Sequence, residues 1–320
     1  MAGTLCCAVA AVTYTVASIC MRQLRAIGCD PMWATCNKEA VTVAVVGPWL
    51  ISEALRGRRI FPPRRMLATL LLVGLAVQWG GNLCSQWAYG LVGLGIVITA
   101  NVGAMLTAAA IMGRLFLGER VSLRSAAAVA LLLASLGLLG LGAEGAGKAI
   151  SPDAGPWLVA LAVGAACIAG VIYAVLSITI RHAVTGTTRL SLLVVAITGV
   201  GVLTLGPACI GRLGAAHLLR TPPEHFAWMA AAGIFNLVGF LSITKGLQLT
   251  TVLHANVLNA SQVAMAAVAG VVIFAEPPNP WLILGVCLTV LGIVLIGRPA
   301  DGRATALQGP APDWAVDTHV

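Results

Sequence analysis

Lys38 and Glu39 stand side by side inside an apolar run, Ala-Thr-Cys-Asn-Lys-Glu-Ala-Val-Thr over residues 34–42. An ionisable side chain at the centre of a membrane helix costs about 2.5–3.5 kcal/mol on insertion scales, so it faces a cavity or a partner. Lys38 could grip a carboxylate or another anionic group of a ligand; the alternative is that it snorkels or pairs structurally. Glu39 is the one acidic residue set well inside an apolar run. It could take up and release a proton, or serve as a structural partner for a nearby basic or hydroxyl group. Neighbours on a helix diverge by about 100°, so the two should point different ways. Lys38 then shares a polar stripe with Thr35 and Thr42.

A second set of candidates is made of amides and phenols. Gln78, Asn82 and Gln86 step by four and predict one polar stripe facing a bundle interior. Asn101 and Asn256 sit in matching contexts, Ala100-Asn101-Val102 and Ala255-Asn256-Val257, and Asn259 shares a face with Asn256. An amide in hydrocarbon needs hydrogen-bond partners, and interhelical bonds of this kind contribute about 0.6–2 kcal/mol. These asparagines therefore line a central site or hold helices together. Tyr14 and Tyr173 also occupy matching contexts. They could close a site from either side as hydrogen-bonding aromatics, or be ordinary buried tyrosines. The substrate-binding set is Lys38, Asn82, Gln86, Asn101, Asn256, Asn259, Tyr14 and Tyr173, with Glu39 as the coupling residue.

The elements that must carry these residues follow from composition. The 320-residue chain is 59% hydrophobic and only 9% charged, with a mean hydropathy of +0.96. A soluble domain carries about 25% charged residues, and no solvated surface can be built from so few. The chain is an all-α integral membrane protein. A spanning helix needs about 20 mainly apolar residues. Ten runs qualify, roughly 3–21, 32–52, 66–87, 94–117, 124–142, 156–179, 190–210, 226–247, 251–274 and 281–297. The net charge of +8 does not indicate nucleic acid, because the basic residues are scattered over short loops. With the N-terminus in the cytoplasm, the cytoplasmic loops and tail hold twelve basic residues and the other side five. That bias predicts both termini in the cytoplasm, in a multi-pass cell-membrane protein. The nine cysteines form no CxxC and lie mostly inside apolar runs, so they are packing residues. Trp33, Trp49, Trp157 and Trp281 near helix ends suit an interfacial belt.

The chain is internally duplicated. Residues 97–142 are similar to 252–297 at an offset of 155, while 11–22 are similar to 170–181 at an offset of 159, matching Tyr14 to Tyr173 and Arg22 to Arg181. The turn glutamates, Glu119 and Glu276, match with a two-residue slip. Helices 1–5 thus correspond to helices 6–10. Five is odd, so the second unit enters the membrane in the opposite sense. Inverted repeats are characteristic of secondary transporters, with the substrate site near the midplane between repeats. The expected organisation is a first five-helix repeat over 1–142, a Gly/Pro/Ser-rich linker over 143–155, a second repeat over 156–297 and a polar, disordered cytoplasmic tail over 298–320.

After the fourth helix comes Leu115-Phe116-Leu117-Gly118-Glu119-Arg120-Val121-Ser122, with Leu136-Gly137 in the next helix and a weaker second copy in Phe274-Ala275-Glu276-Pro277. With the duplication, these residues resemble the drug/metabolite transporter superfamily, EamA-type, over about residues 1–298. The resemblance implies ten helices in two inverted repeats, working by alternating access on small metabolites. The second copy lacks the Leu-Gly before its glutamate and continues into Pro277-Pro278-Asn279-Pro280, which departs from the family's pattern. In the family a basic residue, usually Arg, often occupies the place that Lys38 holds here.

Enzymatic motifs are missing from the sequence: no HExxH, no GxSxG, and no strand ahead of the glycines at 199–201. The expectation is a secondary transporter of a small organic solute, with amino-acid-like, anionic or zwitterionic solutes the leading classes and no cofactor or metal. Its partners are then the solute and the lipid bilayer, with no nucleic acid and with a homodimer open. The alternative is a membrane-embedded enzyme or a non-transporting scaffold.

Overall fold

The fold is that of a computed structural model, which describes residues 2–58, 61–117, 155–185, 188–249, 258–276 and 280–297, with isolated positions at 127–138, 151, 153 and 255. Most of the fifth run, the Glu119 turn, linker residues 143–150, Asn256, Pro277–Asn279 and the tail from 298 onward lie outside the described residues. Among the described residues every regular element is a helix. In chain order these are α1 (Ala2–Ala26), α2 (Pro31–Leu55), α3 (Arg64–Ala76), a π-helical segment (Val77–Leu83), α4 (Cys84–Leu117), α5 (Pro156–Thr185), α6 (Leu190–Leu213), the short α7 (Ala215–Leu219), α8 (Pro223–Leu249), α9 (Gln262–Phe274) and α10 (Pro280–Gly297).

Among the described residues, five stretches are long and apolar enough to cross a membrane, and α9 and α10 are shorter apolar helices. The 25-residue α2 is as long, but carries Lys38, Glu39 and Glu53. Large apolar side chains face outward, including Leu5 and Val12 on α1, Ile168 and Val171 on α5, Val272 on α9 and Ile283 on α10. The buried faces are rich in Ala, Cys and Gly, such as Cys7, Ala10, Ala11 and Ala17 on α1. Apolar outside and small inside is the arrangement lipid imposes, because helices gain by close approach rather than by leaving water. The chain is a multi-pass membrane protein.

Local sequence explains the main boundaries. Asp30 caps α2 by accepting from the N–H groups of Met32 and Trp33 at 3.0 and 3.1 Å. Pro31 follows at the first helical position, where its missing N–H costs nothing. One apolar stretch is 46 residues long, Arg64–Ala109, too long for a single pass. It breaks at Gly93, whose φ of 83° only glycine adopts readily. The Asn101 Nδ2 donates to Ser85 Oγ at 3.1 Å. These residues lie equally far on either side of Gly93, so the chain folds back there.

The third run differs from its expected form. Gln78 and Asn82 fall in the π-helical segment, which widens the turn, and helix continues beyond residue 87 to the break at Gly93. The ninth run, expected as continuous helix over 251–274, is interrupted by a turn at Ala260-Ser261 before α9. Trp49, Trp157 and Trp281 are exposed. Trp33 instead donates to Thr221 Oγ1 at 3.1 Å and meets Phe226 edge-on.

The two halves touch through contacts that recur at one sequence offset. A Cβ on Gly74 would lie 3.2 Å from the Ile197 Cα, and a Cβ on Gly233 would lie 2.8 Å from the Lys38 carbonyl oxygen. A Cβ on Gly80 would meet Ile172, and one on Gly239 would meet Thr13 and Tyr14. Gly233, Ile197, Gly239 and Ile172 each stand 159 residues after Gly74, Lys38, Gly80 and Thr13, the offset that relates Tyr14 to Tyr173.

Candidate functional site

Between the halves lies a cavity of about 180 Å³. Its walls come from α1, α2, the π-helical segment, α4, α5, α6, α8 and the start of α9. Lys38, Glu39, Asn82, Gln86, Asn101, Asn259, Tyr14 and Tyr173 all line it. Of the expected substrate-binding and coupling residues, Asn256 alone lies outside the described residues. Ser18, Ser85, Ser177, Asn236 and Gln262 add polar groups, and Met21, Val102, Met105, Leu176 and Phe240 supply apolar wall.

The polar side of this cavity is one connected cluster. Lys38 Nζ sits 2.9 Å from Glu39 Oε1, with both side chains almost fully buried. This corrects the expectation that the two diverge. Their backbone directions do, but four methylenes let the ammonium swing back onto the neighbouring carboxylate. Asn82 Nδ2 donates to the same Glu39 oxygen at 3.1 Å and to Gln78 Oε1 at 2.9 Å. Gln78 Nε2 donates to the Ile197 carbonyl at 3.2 Å, and Tyr173 Oη donates to Asn82 Oδ1 at 3.0 Å. A carbonyl can only accept, so the Ile197 contact fixes the Gln78 amide, which then fixes Asn82 and makes Tyr173 the donor. One chain of bonds therefore ties α2, the π-helical segment, α5 and α6 together across the cavity.

The stripe of three amides does not act as one unit. Gln78 and Asn82 bond each other, while Gln86 Nε2 turns away to the Met21 carbonyl on α1 at 2.9 Å. The widened π turn between them accounts for the change of register. Among the described residues, Gln86 Oε1, Asn101 Oδ1 and Asn259 Oδ1 are buried without a hydrogen-bond partner, as is Thr42 Oγ1 on the Lys38 stripe. Each such group costs about 1–3 kcal/mol of desolvation. The backbone of α4 at Asn101 is also a crossing point, since a Cβ on Gly170 would lie 2.2 Å from the Asn101 carbonyl oxygen. Among the described residues, no three metal-ligating side chains come together.

Beyond one end of the cavity is a second polar cluster that motif reading placed only as a turn. Glu276, at the end of α9, is buried. Its carboxylate accepts from Arg22 Nε at 3.1 Å and from the Leu94 N–H at 2.9 and 3.1 Å. Arg22 also lies over the Phe274 ring, 5.1 Å from its centroid. Arg25, one turn on, packs over Gly90. Elsewhere, Glu53 joins α2 to the start of α6 through Arg189 at 2.8 Å and Ser191 at 2.7 Å. Asp30 pairs with Arg212 at the other end of the same two helices. The Arg181 guanidinium donates to the Leu247 carbonyl.

Comparison with known proteins bears on this arrangement. Residues 160–298 match the model of the EamA-like transporter family, which bears out the family recognised from the sequence. No curated protein matches the chain. A solved structure described only as "Crystal structure of protein" is similar over 92% of this chain and 94% of its own, with a TM-score of 0.60 at 18% identity. That likeness concerns the fold alone.

Proposed function

Starting from the EamA-like transporter family, to which residues 160–298 are assigned, we propose that this chain is a secondary transporter that moves a small organic solute by alternating access. The observation that carries the reading is the cavity between the halves, buried among apolar helices yet lined by a lysine–glutamate pair, amides and two tyrosines. Intramembrane ionisable residues mark solute and ion pathways. Ten passes in two inverted five-helix repeats, 1–142 and 156–297, fit the fold-back at Gly93 and the contacts that recur at an offset of 159. On this reading Lys38, Asn82, Gln86, Asn101, Asn256, Asn259, Tyr14 and Tyr173 contact the solute, and Glu39 couples transport to protons. Both termini lie in the cytoplasm of a cell-membrane protein, as the basic loops favour.

The polar cluster suits an amino-acid-like, anionic or zwitterionic solute. An anion would draw the Lys38 ammonium from Glu39, leaving the carboxylate to Asn82 and to a proton. This gives the two ions linked roles: solute binding frees the group that then protonates. Uptake into proteoliposomes tests the proposal, with labelled amino acids, carboxylates, nucleosides and sugars offered under an imposed pH gradient. Saturable, gradient-driven flux is expected for one class. Flux that stays linear with concentration for all of them would refute transport and leave a scaffold or a membrane-embedded enzyme.

A further inference from the structure

The geometry points to Glu276 as the latch that closes one end of the cavity, by fastening α9 to the reversal at Gly93 and to Arg22 of α1. The inference rests on the alternating-access reading and names the group that one of its two states depends on.

The latch is built around a single carboxylate. Beyond Gly93 the helix restarts, and its first N–H groups have no partner within the helix. Leu94 and Gly95 direct theirs at Glu276, the second at 3.5 Å. The positive end of that helix and the Arg22 guanidinium therefore hold one negative charge between them. Two glycines make the space for it. A Cβ on Gly93 would lie 2.6 Å from the carboxylate, and one on Gly270 would lie 2.5 Å from Oε2. The Glu276 backbone is anchored too, with its N–H donating to the Gly270 carbonyl at 3.0 Å after a left-handed residue at Ala275. Three elements thus meet at one buried side chain: the end of α1, α4 at its reversal, and α9.

The cluster sits where a gate would have to be. The cavity wall runs to Met21, the residue before Arg22, and to Tyr89, four residues before Gly93. A solute leaving past Met21 must pass between α1, the reversal and α9, which the Glu276 carboxylate holds together. Opening that end means withdrawing it from two N–H groups and a guanidinium at once, so the contact has two states, made and broken. Its strength then sets the balance between the closed and open forms of that end.

The test needs no knowledge of the solute. Met21→Cys is introduced into the full-length protein in intact cells and in inverted membrane vesicles. A membrane-impermeant thiosulfonate is added, and modification at residue 21 is quantified by fragment-ion mass spectrometry, which places the label at residue 21 rather than at Cys6, Cys7 or the adjacent Cys20. Glu276→Gln removes the charge. Gly270→Ala keeps Glu276 but fills the space its Oε2 occupies, at a helical position where alanine carries no backbone strain. In both variants modification from the Arg22 side should rise by about tenfold or more, the factor by which losing one buried charge-assisted hydrogen bond shifts a two-state balance. Modification from the opposite side should fall in step. An unchanged Arg22-side rate in a well-folded Gly270→Ala protein overturns the latch. So does a rise from both sides together, which marks a structural plug rather than a switch. Modification of Met21→Cys from the Arg22 side alone, in the parent and in both variants alike, would instead overturn alternating access itself.

Discussion

Neutralising Lys38 alone should damage the protein more than neutralising Lys38 and Glu39 together. The two side chains belong to residues only 5% and 1% exposed and lie 2.9 Å apart. Lys38→Met leaves the Glu39 carboxylate buried with one amide donor, Asn82. Removing one partner of a buried ion pair costs about 3–5 kcal/mol, whereas removing both is often neutral or stabilising. In Lys38→Met/Glu39→Gln the amide oxygen at position 39 can still accept from Asn82, so no charge is stranded. The expected coupling in the double-mutant cycle is about 3 kcal/mol, the upper end of what touching residues show. Reversible unfolding in mixed micelles measures it. Additive single effects would refute the reasoning, because they would mean that each ion has its own solvation. The same double variant separates stability from function. It should fold, and its uptake should lose dependence on an imposed proton gradient. Gradient-driven uptake that survives in it would remove Glu39 as the coupling group.

Gly170→Ala should destabilise the protein by about 1–3 kcal/mol through overpacking, because its Cβ would collide with the Asn101 backbone rather than a movable side chain. Gly164→Ala, with nothing within 4 Å, is the matched neutral control, and thermal melting compares the two. Tyr173→Phe strands Asn82 Oδ1 and should raise the KM for solute by about fivefold, the equivalent of one net hydrogen bond of about 1 kcal/mol. Tags placed at either terminus should stay protected from protease in intact cells, and cleavage of either would overturn the orientation read from the basic loops.

Much of the architecture was legible because lipid leaves few choices. A polar residue inside an apolar run must face a cavity or a partner, so Lys38, Glu39, Asn82 and Asn101 could be marked without knowing which helices they meet. Their shared cavity follows from that constraint. What escaped sequence reading depends on contacts across the bundle. The Lys38–Glu39 pair was hidden because helical phase predicts backbone direction, and a long side chain can undo it. The π-helical segment was hidden because stepping by four from Gln78 to Gln86 looks the same in either register. Glu276 was visible only as a motif residue in a turn. Its partners, Leu94 and Gly95, contribute backbone N–H groups, which carry no side-chain signature. Gly93 and Gly270, whose missing Cβ atoms make its space, look like any other glycines of a membrane helix.

The repeat and the polar cluster obey different rules, and that difference bears on mechanism. Packing is shared by the halves: Gly74 on Ile197 has its counterpart in Gly233 on Lys38, and Gly80 on Ile172 in Gly239 on Thr13. The charges of the Lys38–Glu39 pair are not shared. The positions 159 residues after Lys38 and Glu39 are Ile197 and Thr198, and both line the same cavity. Close helix approach is a property of backbones and tolerates drift of side chains that face the cavity, so the glycines keep the symmetry, and while Tyr14/Tyr173 and Ser18/Ser177 keep it too, the positions of the ion pair lose it. A symmetric scaffold can rock between two equivalent states. On the alternating-access reading, a solute whose charge is gripped at Lys38 would move with the first half and exchange its contacts with the second, where Ile197 and Thr198 stand at the related positions. The asymmetry also explains how the cluster is wired. The link from the charged half to the uncharged one runs through Gln78 to the Ile197 backbone carbonyl, an acceptor that needs no polar side chain at the position opposite Lys38.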